Sequence, residues 1–196
     1  KHLRTLKAAG LNTVHLLPTF DIASIPETGQ PEPACDLKAL PADSDQQQVC
    51  VTALAAKDGF NWGYDPFHWL APEGSYATQK DGLARVSEFR TMVGGLHKSG
   101  LRVVLDQVFN HTPAAGQAPT SVLDRIVPGY YQRLNATGKV ETSTCCSNIA
   151  TEHAMAEKIM VDSTVSWARN YHVDGFRYDL MGHHSKENML KVRAAL

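Results

Sequence analysis

The stretch Asp174–His184, DGFRYDLMGHH, places charged residues inside what the apolar pattern predicts to be a short buried strand. With the side-chain period of two in a strand, Arg177 and Asp179 share one face and lie about 7 Å apart along it. Buried charges are costly unless they are paired or used in chemistry. The stretch therefore predicts an ion pair, a metal site that includes His183 and His184, or a catalytic centre with an ionised carboxylate.

A second candidate group lies in LRVVLDQVFNHT, where Asp106 stands near the end of a predicted strand and Asn110 and His111 follow it. If the two strands are neighbours, Asp106 can pair with Arg177, which in turn favours the ionised form of Asp179. A purely structural Asp–Arg–Asp network is an open alternative for these three residues. Zinc binding by the two adjacent histidines is disfavoured, because neighbouring side chains project in different directions and the HExxH spacing is absent.

Aromatic side chains are concentrated between residues 60 and 76, which hold six of the fifteen Phe, Trp and Tyr residues. Rings with polar edges can stack on the apolar faces of sugars or on bases, and Tyr and Trp also donate hydrogen bonds. The alternative is a loop packed by its own side chains, which we expect for about half of the rings. Interspersed Gly and Pro fix the turns and predict a rigid platform. The six rings are Phe60, Trp62, Tyr64, Phe67, Trp69 and Tyr76.

The elements that must position these groups repeat one design. The segments AAGLNTVHLLP, KSGLRVVLDQV and RNYHVDGFRYDL each place the end of a helix before a short apolar strand. The predicted strands are residues 13–17, 102–108 and 175–178, and the predicted helices are 80–98, 151–171 and 186 to the end, with a short helix near 45–57 that Asp45 caps. Such alternation predicts an α/β fold with a parallel sheet. Three units are too few to close an eight-stranded barrel, so the sheet is either small and open or part of a larger barrel.

Two linkers are far longer than the usual connection between a strand and a helix. They cover residues 18–75 and 109–150, and each leaves the carboxyl end of a predicted strand. Because α/β folds build their sites at that end of the sheet, we expect the functional residues to gather there.

The composition excludes several classes of function. The chain has 196 residues, is 43% hydrophobic and carries a formal charge of −1, so no basic excess attracts nucleic acid or anionic lipid. No apolar run approaches the roughly 20 residues of a membrane span, and no glycine-rich phosphate loop is present. The opening KHLRTLKAAG has the pattern of a helix interior, which predicts that the chain is part of a longer protein.

Four cysteines leave the redox compartment open. A bond between Cys35 and Cys50 would close a loop and favour an oxidising compartment. The adjacent Cys145 and Cys146 lack the spacing of a zinc site, and buried free thiols are an equally good interpretation. The sequence alone does not choose among the possible pairings.

Three ordered motifs resemble those of a known family. DQVFNH (Asp106–His111) resembles the first conserved motif of the α-amylase superfamily of glycoside hydrolases, although two positions depart from the common DVVYNH. GFRYD (Gly175–Asp179) resembles the second motif, which carries the nucleophile. FNWGYDP (Phe60–Pro66) is similar to the YNWGYDP signature of pullulanases and limit dextrinases, and GYDPFHWLAPEGSYAT and DLMGHH are similar to the same debranching group.

The resemblance implies that residues 1–196 belong to a single catalytic (β/α)₈ TIM barrel domain, truncated at both ends, with roughly its second to fourth strands. It implies that Asp179 is the nucleophile, that Arg177 orients it, and that Asp106 and Asn110 support the site. The sugar contacts that it implies are His111, Tyr64, His183, Asp65 and Trp62.

The activity that the resemblance implies is hydrolysis of α-1,6-glucosidic branch linkages in pullulan, amylopectin or limit dextrins by a retaining double displacement. The motifs with the acid/base glutamate and the third carboxylate are absent from the 196 residues, and the resemblance places both beyond Leu196. We therefore expect the chain alone to be inactive and poorly folded. The alternatives are an isoamylase-like or α-1,4-specific member and a non-catalytic glucan-binding barrel.

The resemblance implies an α-glucan partner and no required cofactor. Calcium near Asn110 is compatible with the superfamily, although one asparagine does not make a cage of about six to eight oxygens. For a bacterial protein the resemblance favours secretion or the periplasm, and for a plant protein the plastid; the sequence does not decide the compartment.

Overall fold

The computed structural model describes residues 2–59 and 61–196, so Phe60 of the aromatic loop lies outside the described residues. The helices are α1 His2–Ala8, α2 Gln46–Thr52, α3 Ala84–Lys98, α4 Leu123–Ile126, α5 Ala154–Tyr171 and α6 Lys186–Ala195. The strands are β1 Thr13–Leu16, β2 Phe20–Ile22, β3 Pro66–Pro72, β4 Arg102–Gln107, β5 His111–Thr112, β6 Ser147–Asn148 and β7 Gly175–Tyr178. Short 3₁₀ helices occupy Gly74–Tyr76 and Met181–His183.

The central sheet has three parallel strands in the order β1, β4, β7. Val103 lies opposite Val14, and Leu105 lies opposite Phe176, so apolar residues meet across both ladders. Helix α3 connects β1 to β4 and helix α5 connects β4 to β7. The predicted α/β fold with a parallel sheet is thus confirmed.

The helix boundaries differ from the predicted ones where side chains have other partners. Helix α5 begins at Ala154, so Thr151 and Glu152 precede the helix and are not in its first turn as predicted. The hydroxyl of Thr151 contacts His184 Nδ1 at 3.0 Å, and Glu152 binds Arg133 at 2.7 Å, which keeps both residues outside the helix.

Helix α2 is shorter than predicted and has no side-chain cap. Asp45 occupies the N-cap position but adopts helical backbone angles, and its carboxylate bonds to the side chain of Gln46 at 3.1 Å. The predicted capping by Asp45 is therefore wrong, because a cap needs an extended residue whose oxygen faces the helix N–H groups.

Both long linkers contain small antiparallel sheets that the sequence did not indicate. Strand β2 pairs with β3, and β5 pairs with β6. Strand β3 is held against the central sheet by Trp69, whose Nε1 donates to the carbonyl of Val108 at 2.6 Å. The carbonyl of Trp69 in turn accepts from Trp167 Nε1 of α5 at 2.7 Å. These two indole bonds attach the aromatic loop to the sheet and to a helix.

The main core lies between the central sheet and helices α3 and α5. Val103 and Leu105 are fully buried there with Phe89 and Trp167, which stack edge to face. Because side chains alternate along a strand, Val104 and the following Asp106 lie on the opposite face. A second cluster packs under the 109–150 linker and contains Trp69, Phe109, Leu123, Tyr131, Ile149, Ala156, Met160 and Val192.

The described rings of the aromatic loop divide between core and surface. Trp69 is buried and Tyr64 and Phe67 are half-buried, whereas Trp62 is 66% exposed and Tyr76 is 61% exposed. Trp69 packs in the cluster that contains Phe109, and Tyr64 packs against the main core, so these two rings are buried against the sheet and its helices and not in a core of the loop itself, as was expected for about half of the rings.

The structure joins the cysteines as Cys35–Cys50 and Cys145–Cys146. The interpretation as buried free thiols is therefore wrong. The second bond links neighbouring residues, an arrangement that cysteine spacing did not indicate.

Among the described helices, none combines the length and the apolar character that crossing a membrane requires.

Gly63 allows the aromatic loop to approach the end of β1. Its φ of +80° lies in the left-handed region, and a Cβ at this position would stand 2.9 Å from the carbonyl oxygen of Pro18 and 3.0 Å from Pro18 Cβ. Only glycine meets both conditions without strain. The contact fixes the backbone immediately before Tyr64.

Asp174 connects α3 to the sheet. Its Oδ2 accepts the N–H of Val103 at 2.7 Å and lies 2.8 Å from His97 Nε2. Burial alone would raise the pKa of Asp174, but the N–H of Val103 and the imidazole of His97 outweigh burial and lower it below its ordinary value. Since the folded-state pKa is lowered, the ionised form stabilises the fold at neutral pH, and this contribution disappears as the pH falls through the folded-state value.

Replacing Gly63 with alanine should destabilise the fold more than the same change at Gly138. Both residues have a positive φ, +80° and +78°, but a Cβ at Gly138 would meet nothing within 4 Å. We expect about 1 kcal/mol for the backbone strain in each variant, and roughly 1–3 kcal/mol more for the clash at Gly63. Urea unfolding followed by tryptophan fluorescence measures both; equal losses would show that the approach to Pro18 is not tight.

Asp174→Asn should lower the free energy of unfolding by about 1 kcal/mol at pH 7, a value reduced for the partial exposure of the carboxylate. The difference from the unsubstituted protein should shrink as the pH falls below the ordinary pKa of an aspartate, and it should vanish below the lowered folded-state pKa of Asp174, where the carboxyl is protonated in both states. Urea titrations across this pH range provide the measurement. Asp162→Asn, which removes only the exposed contact with Lys158, is the control. A loss that does not change with pH would contradict the assigned ionisation.

Candidate active site

Asp106 and Arg177 form the centre of the site at the carboxyl end of the sheet. The parallel register places them directly opposite each other on β4 and β7. Arg177 Nη1 lies 2.9 Å from both carboxylate oxygens of Asp106, which is 2% exposed. The hydrogen bond to Asp106 raises the pKa of Arg177 above its ordinary value. The predicted pairing of the two strands through this ion pair is present.

Arg177 is less buried than the strand pattern predicts. Its side chain is 44% exposed, because β7 is an edge strand of the described sheet. Of the charged residues in the predicted ion network, only Asp106 is almost fully buried, and the side chain of Asp179 is 16% exposed. Within this network of three residues, Asp106 is therefore the only buried charge, and Arg177 is its charged partner.

Two donors hold the carboxylate of Asp179. Its Oδ1 lies 2.9 Å from Arg177 Nη1, and its Oδ2 accepts from Asn110 Nδ2 at 3.1 Å. The N–H of Asp179 continues the sheet by donating to the carbonyl of Gln107 at 2.8 Å. Leu180 then adopts a left-handed conformation with φ of +44°, which turns the chain away immediately after the carboxylate. A leucine rarely holds this conformation, so the surrounding contacts must enforce it.

Tyr64 covers the buried carboxylate of Asp106. Its Oη donates to Asp106 Oδ2 at 2.7 Å and lies 3.4 Å from Arg177 Nη1. Burial, with the hydrogen bond to Asp106, raises the pKa of Tyr64 to about 12. The phenol therefore remains a neutral donor at physiological pH, and its ring is half-buried beside the cluster.

His111 lies beneath the cluster, and its nitrogens hold two other parts of the site. Asn110 donates through Nδ2 to Asp179, which orients its Oδ1 towards His111 Nδ1 at 2.6 Å. His111 Nε2 lies 2.7 Å from the carbonyl oxygen of Tyr64. Both ring nitrogens face acceptor oxygens and both are occupied. A direct bond to a sugar, which the resemblance implies, requires one of these contacts to open.

The remaining predicted site residues are not joined to this cluster by side-chain hydrogen bonds among the described residues. Trp62 projects into solvent, and Asp65 is half-buried, with its backbone carbonyl accepting from Ala23 at 2.9 Å. His183 ends a 3₁₀ turn, where its carbonyl accepts from Arg133 at 3.1 Å.

Sequence reasoning missed two neighbours of the cluster. His15 Nε2 lies 3.9 Å from Asp106 Oδ2, and the alternation along β1 could have indicated it, because its register partner Val104 shares a face with Asp106. Cys145 Sγ lies 4.0 Å from His111 Nε2, and no local signal indicates that contact.

The atoms around Asn110 do not fit calcium. Its Nδ2 faces Asp179 and its Oδ1 faces His111, so both polar atoms already have partners. Calcium takes about six to eight oxygen ligands, which this set does not supply. Among the described residues, another acidic group, Asp21 with Glu27 and Glu73, is bridged by Arg85 and by backbone N–H groups.

Comparison with known proteins identifies close relatives along the whole chain. Pullulanase 1 of Arabidopsis thaliana chloroplasts is 45% identical over 200 residues, and the match covers 100% of this chain and 21% of that protein. The pullulanase of Klebsiella pneumoniae is 42% identical over 230 residues, with 98% of this chain and 21% of the relative covered. No protein-family model matches.

Solved structures agree with the sequence comparison. The apo pullulanase of Klebsiella pneumoniae superposes with a TM-score of 0.86 and 40% identity, covering 99% of this chain and 25% of that structure. The type I pullulanase of Bacillus subtilis superposes with a TM-score of 0.75 and 36% identity, covering 97% of this chain and 23% of that structure. The chain thus spans about a fifth of the length of the curated relatives named above. In sequence and in fold, it is a homologue of the pullulanases over its whole length.

Proposed function

We propose that the protein containing this chain hydrolyses α-1,6-glucosidic branch linkages in pullulan, amylopectin or limit dextrins. The observation that carries the proposal is the Asp179 carboxylate, held at the carboxyl end of the sheet by Arg177 and Asn110. Pullulanases that are 42–45% identical across nearly the whole chain support the substrate class.

Asp179 is the proposed nucleophile of a retaining mechanism. It would attack the anomeric carbon to form a glycosyl-enzyme intermediate, which water then hydrolyses. Arg177 and Asn110 bind one carboxylate oxygen each, so they align the group for attack while each oxygen keeps a further lone pair. Arg177 also places a positive charge beside the carboxylate that is proposed to attack.

The general acid is proposed to lie outside these 196 residues. A retaining glycosidase needs a second carboxyl group about 5–5.5 Å from the nucleophile. Asp106 is a poor candidate, because it is buried and already bonded to Arg177 and Tyr64. Residues 1–196 alone are therefore proposed to be inactive.

The chain is proposed to supply roughly the second to fourth strands of a single (β/α)₈ barrel domain. Parallel strands joined by helices support this assignment, and so do the unpaired outer edges of β1 and β7 within the described sheet. In such a barrel, the face of the sheet that carries Asp106 and Arg177 would point inward.

Glucan binding is assigned to the residues around the nucleophile. Tyr64 presents a half-buried ring next to Asp106 and is proposed to stack against the sugar at the cleavage point. The exposed Trp62, with Asp65 and His183, would line the cleft further out. His111 is proposed to position the backbone of Tyr64 and the side chain of Asn110, and to reach the sugar only when one of its bonds opens.

An isoamylase-like or α-1,4-specific activity is the competing assignment. Isoamylase 3 of rice chloroplasts is 30% identical over 177 residues, which equals the identity of pullulanase A of Streptococcus pneumoniae but lies below the 42–45% of the pullulanases of Klebsiella pneumoniae and Arabidopsis thaliana. The higher identity to the latter two pullulanases favours pullulan as the test substrate, with amylose as the contrast.

Asp179→Asn in the complete protein should lower kcat on pullulan by at least about 10³-fold, which corresponds to about 4 kcal/mol of activation free energy. Glucan affinity should be retained, because asparagine preserves the shape of the side chain. Reducing-sugar release and calorimetric binding measure the two quantities. Asp162→Asn on the exposed face of α5 is the matched control and should leave both unchanged. Comparable turnover by the Asp179 variant would remove it from the nucleophile role.

Tyr64→Ala should raise KM for pullulan by roughly fivefold, equivalent to about 1 kcal/mol of lost ring contact. Tyr64→Phe keeps the ring and loses the hydroxyl with its contacts to Asp106 and Arg177, so it should affect KM less than Tyr64→Ala does. The control is Tyr76→Ala, which removes an exposed ring from the same loop. Steady-state kinetics compare the three variants, and equal KM values for the two Tyr64 variants would argue against stacking.

A further inference from the structure

The Cys145–Cys146 disulfide lies against the proposed active site. Cys145 Sγ is 4.0 Å from His111 Nε2, the atom that contacts the carbonyl of Tyr64 at 2.7 Å. These three side chains are also the one group of described residues that brings a histidine and two cysteine sulfurs within 4.8 Å of one another. The sulfur pair therefore neighbours a bond that positions Tyr64.

The segment after the disulfide is hydrogen-bonded to the residues that hold Asp179. Strand β6 begins at Ser147 and pairs with β5, with His111 opposite Asn148. The N–H of Ile149 donates to the carbonyl of Asn110 at 3.0 Å. A change in the backbone at Cys146 would therefore be transmitted within one or two residues to His111 and Asn110.

The disulfide is accessible to a reductant. Cys145 is exposed and Cys146 is half-buried, so a thiolate can approach the sulfur of Cys145 from solvent. The other disulfide, Cys35–Cys50, lies in the linker between β2 and β3 and provides an internal comparison.

We propose that Cys145–Cys146 is a reversible redox site for dithiol reductants, and that its oxidised form holds His111 and Asn110 in the arrangement that positions Asp179. The consequence for turnover rests on the proposed function, whereas the consequence for His111 does not. Once reduced, Cys145 carries a thiol that can rotate, and its sulfur can accept from His111 Nε2 in competition with the carbonyl of Tyr64. The covalent restraint on the backbone before β6 is lost at the same time.

The redox step balances with a dithiol as the reductant. A reductant thiolate attacks Cys145 Sγ and forms a mixed disulfide, while the Cys145–Cys146 bond breaks and Cys146 leaves as a thiolate that takes up a proton. The second thiol of the reductant then attacks the reductant sulfur that is bonded to Cys145. The mixed disulfide breaks, and Cys145 leaves as a thiolate that takes up a proton. Two electrons pass from the dithiol, which becomes a disulfide, and the protein gains two thiols.

The test treats the complete protein with dithiothreitol and maps thiols by differential alkylation and peptide mass spectrometry. The accessibility of His111 is read from its rate of carbethoxylation by diethyl pyrocarbonate, mapped on the same peptides. We expect reduction of Cys145–Cys146 to raise this rate about fivefold and to lower kcat/KM on pullulan about tenfold, and reoxidation to reverse both.

Two double variants separate the disulfides. Cys145→Ser with Cys146→Ser should show the fast modification of His111 and the low turnover permanently, with no response to reductant. Cys35→Ser with Cys50→Ser should respond as the unsubstituted protein does. A mapped Cys145–Cys146 dithiol with unchanged His111 reactivity would overturn the proposal, as would a full response in the Cys145/Cys146 variant.

The two proposals fail in distinguishable ways. If the oxidised protein does not cleave pullulan at all, the proposed function is wrong, and the reactivity of His111 still decides the redox proposal. If pullulan is cleaved equally in both redox states while Cys145–Cys146 is shown to be reduced, the redox proposal is wrong and the function stands.

Discussion

The buried carboxylate of Asp106 is the constraint around which the site is built, because an almost fully buried charge must be matched by donors. Arg177 from the neighbouring strand and Tyr64 from the aromatic loop supply them. Removing one partner costs less than the value of about 3–5 kcal/mol that is typical of fully buried pairs, because the side chain of Arg177 is 44% exposed. Three segments that are far apart in the chain are thereby held in one arrangement at the carboxyl end of the sheet.

The position of Asp179 follows from that arrangement. The same Nη1 of Arg177 that binds Asp106 also binds Asp179, so the nucleophile candidate is located relative to the buried charge. Asn110 binds the other oxygen and is oriented by His111, which in turn holds the backbone of Tyr64. These hydrogen bonds form a closed network, so displacement of one side chain shifts the others.

This polar network is attached to the fold by buried indole rings and their hydrogen bonds to backbone carbonyls. Trp69 and Trp167 donate their indole N–H groups to backbone carbonyls while their rings fill the core, so the aromatic loop is fixed by apolar burial as well as by charge. The glycine at position 63 permits the last close approach before Tyr64. Helices α3 and α5 cover the opposite face of the sheet, which leaves the charged face for the site.

The sequence by itself determined the parallel α/β unit and the shared face of Arg177 and Asp179, because strand periodicity is a local property. It indicated the pairing of Arg177 with Asp106 only on the condition that the two strands are neighbours, which the tertiary structure decided. Family motifs, rather than periodicity, indicated sugar chemistry. Only the tertiary structure decided that Asn110 binds Asp179 and that Cys145 lies beside His111. The first contact depends on β7 lying beside β4, and the second depends on the pairing of β5 with β6, two-residue strands too short to carry any periodic signal.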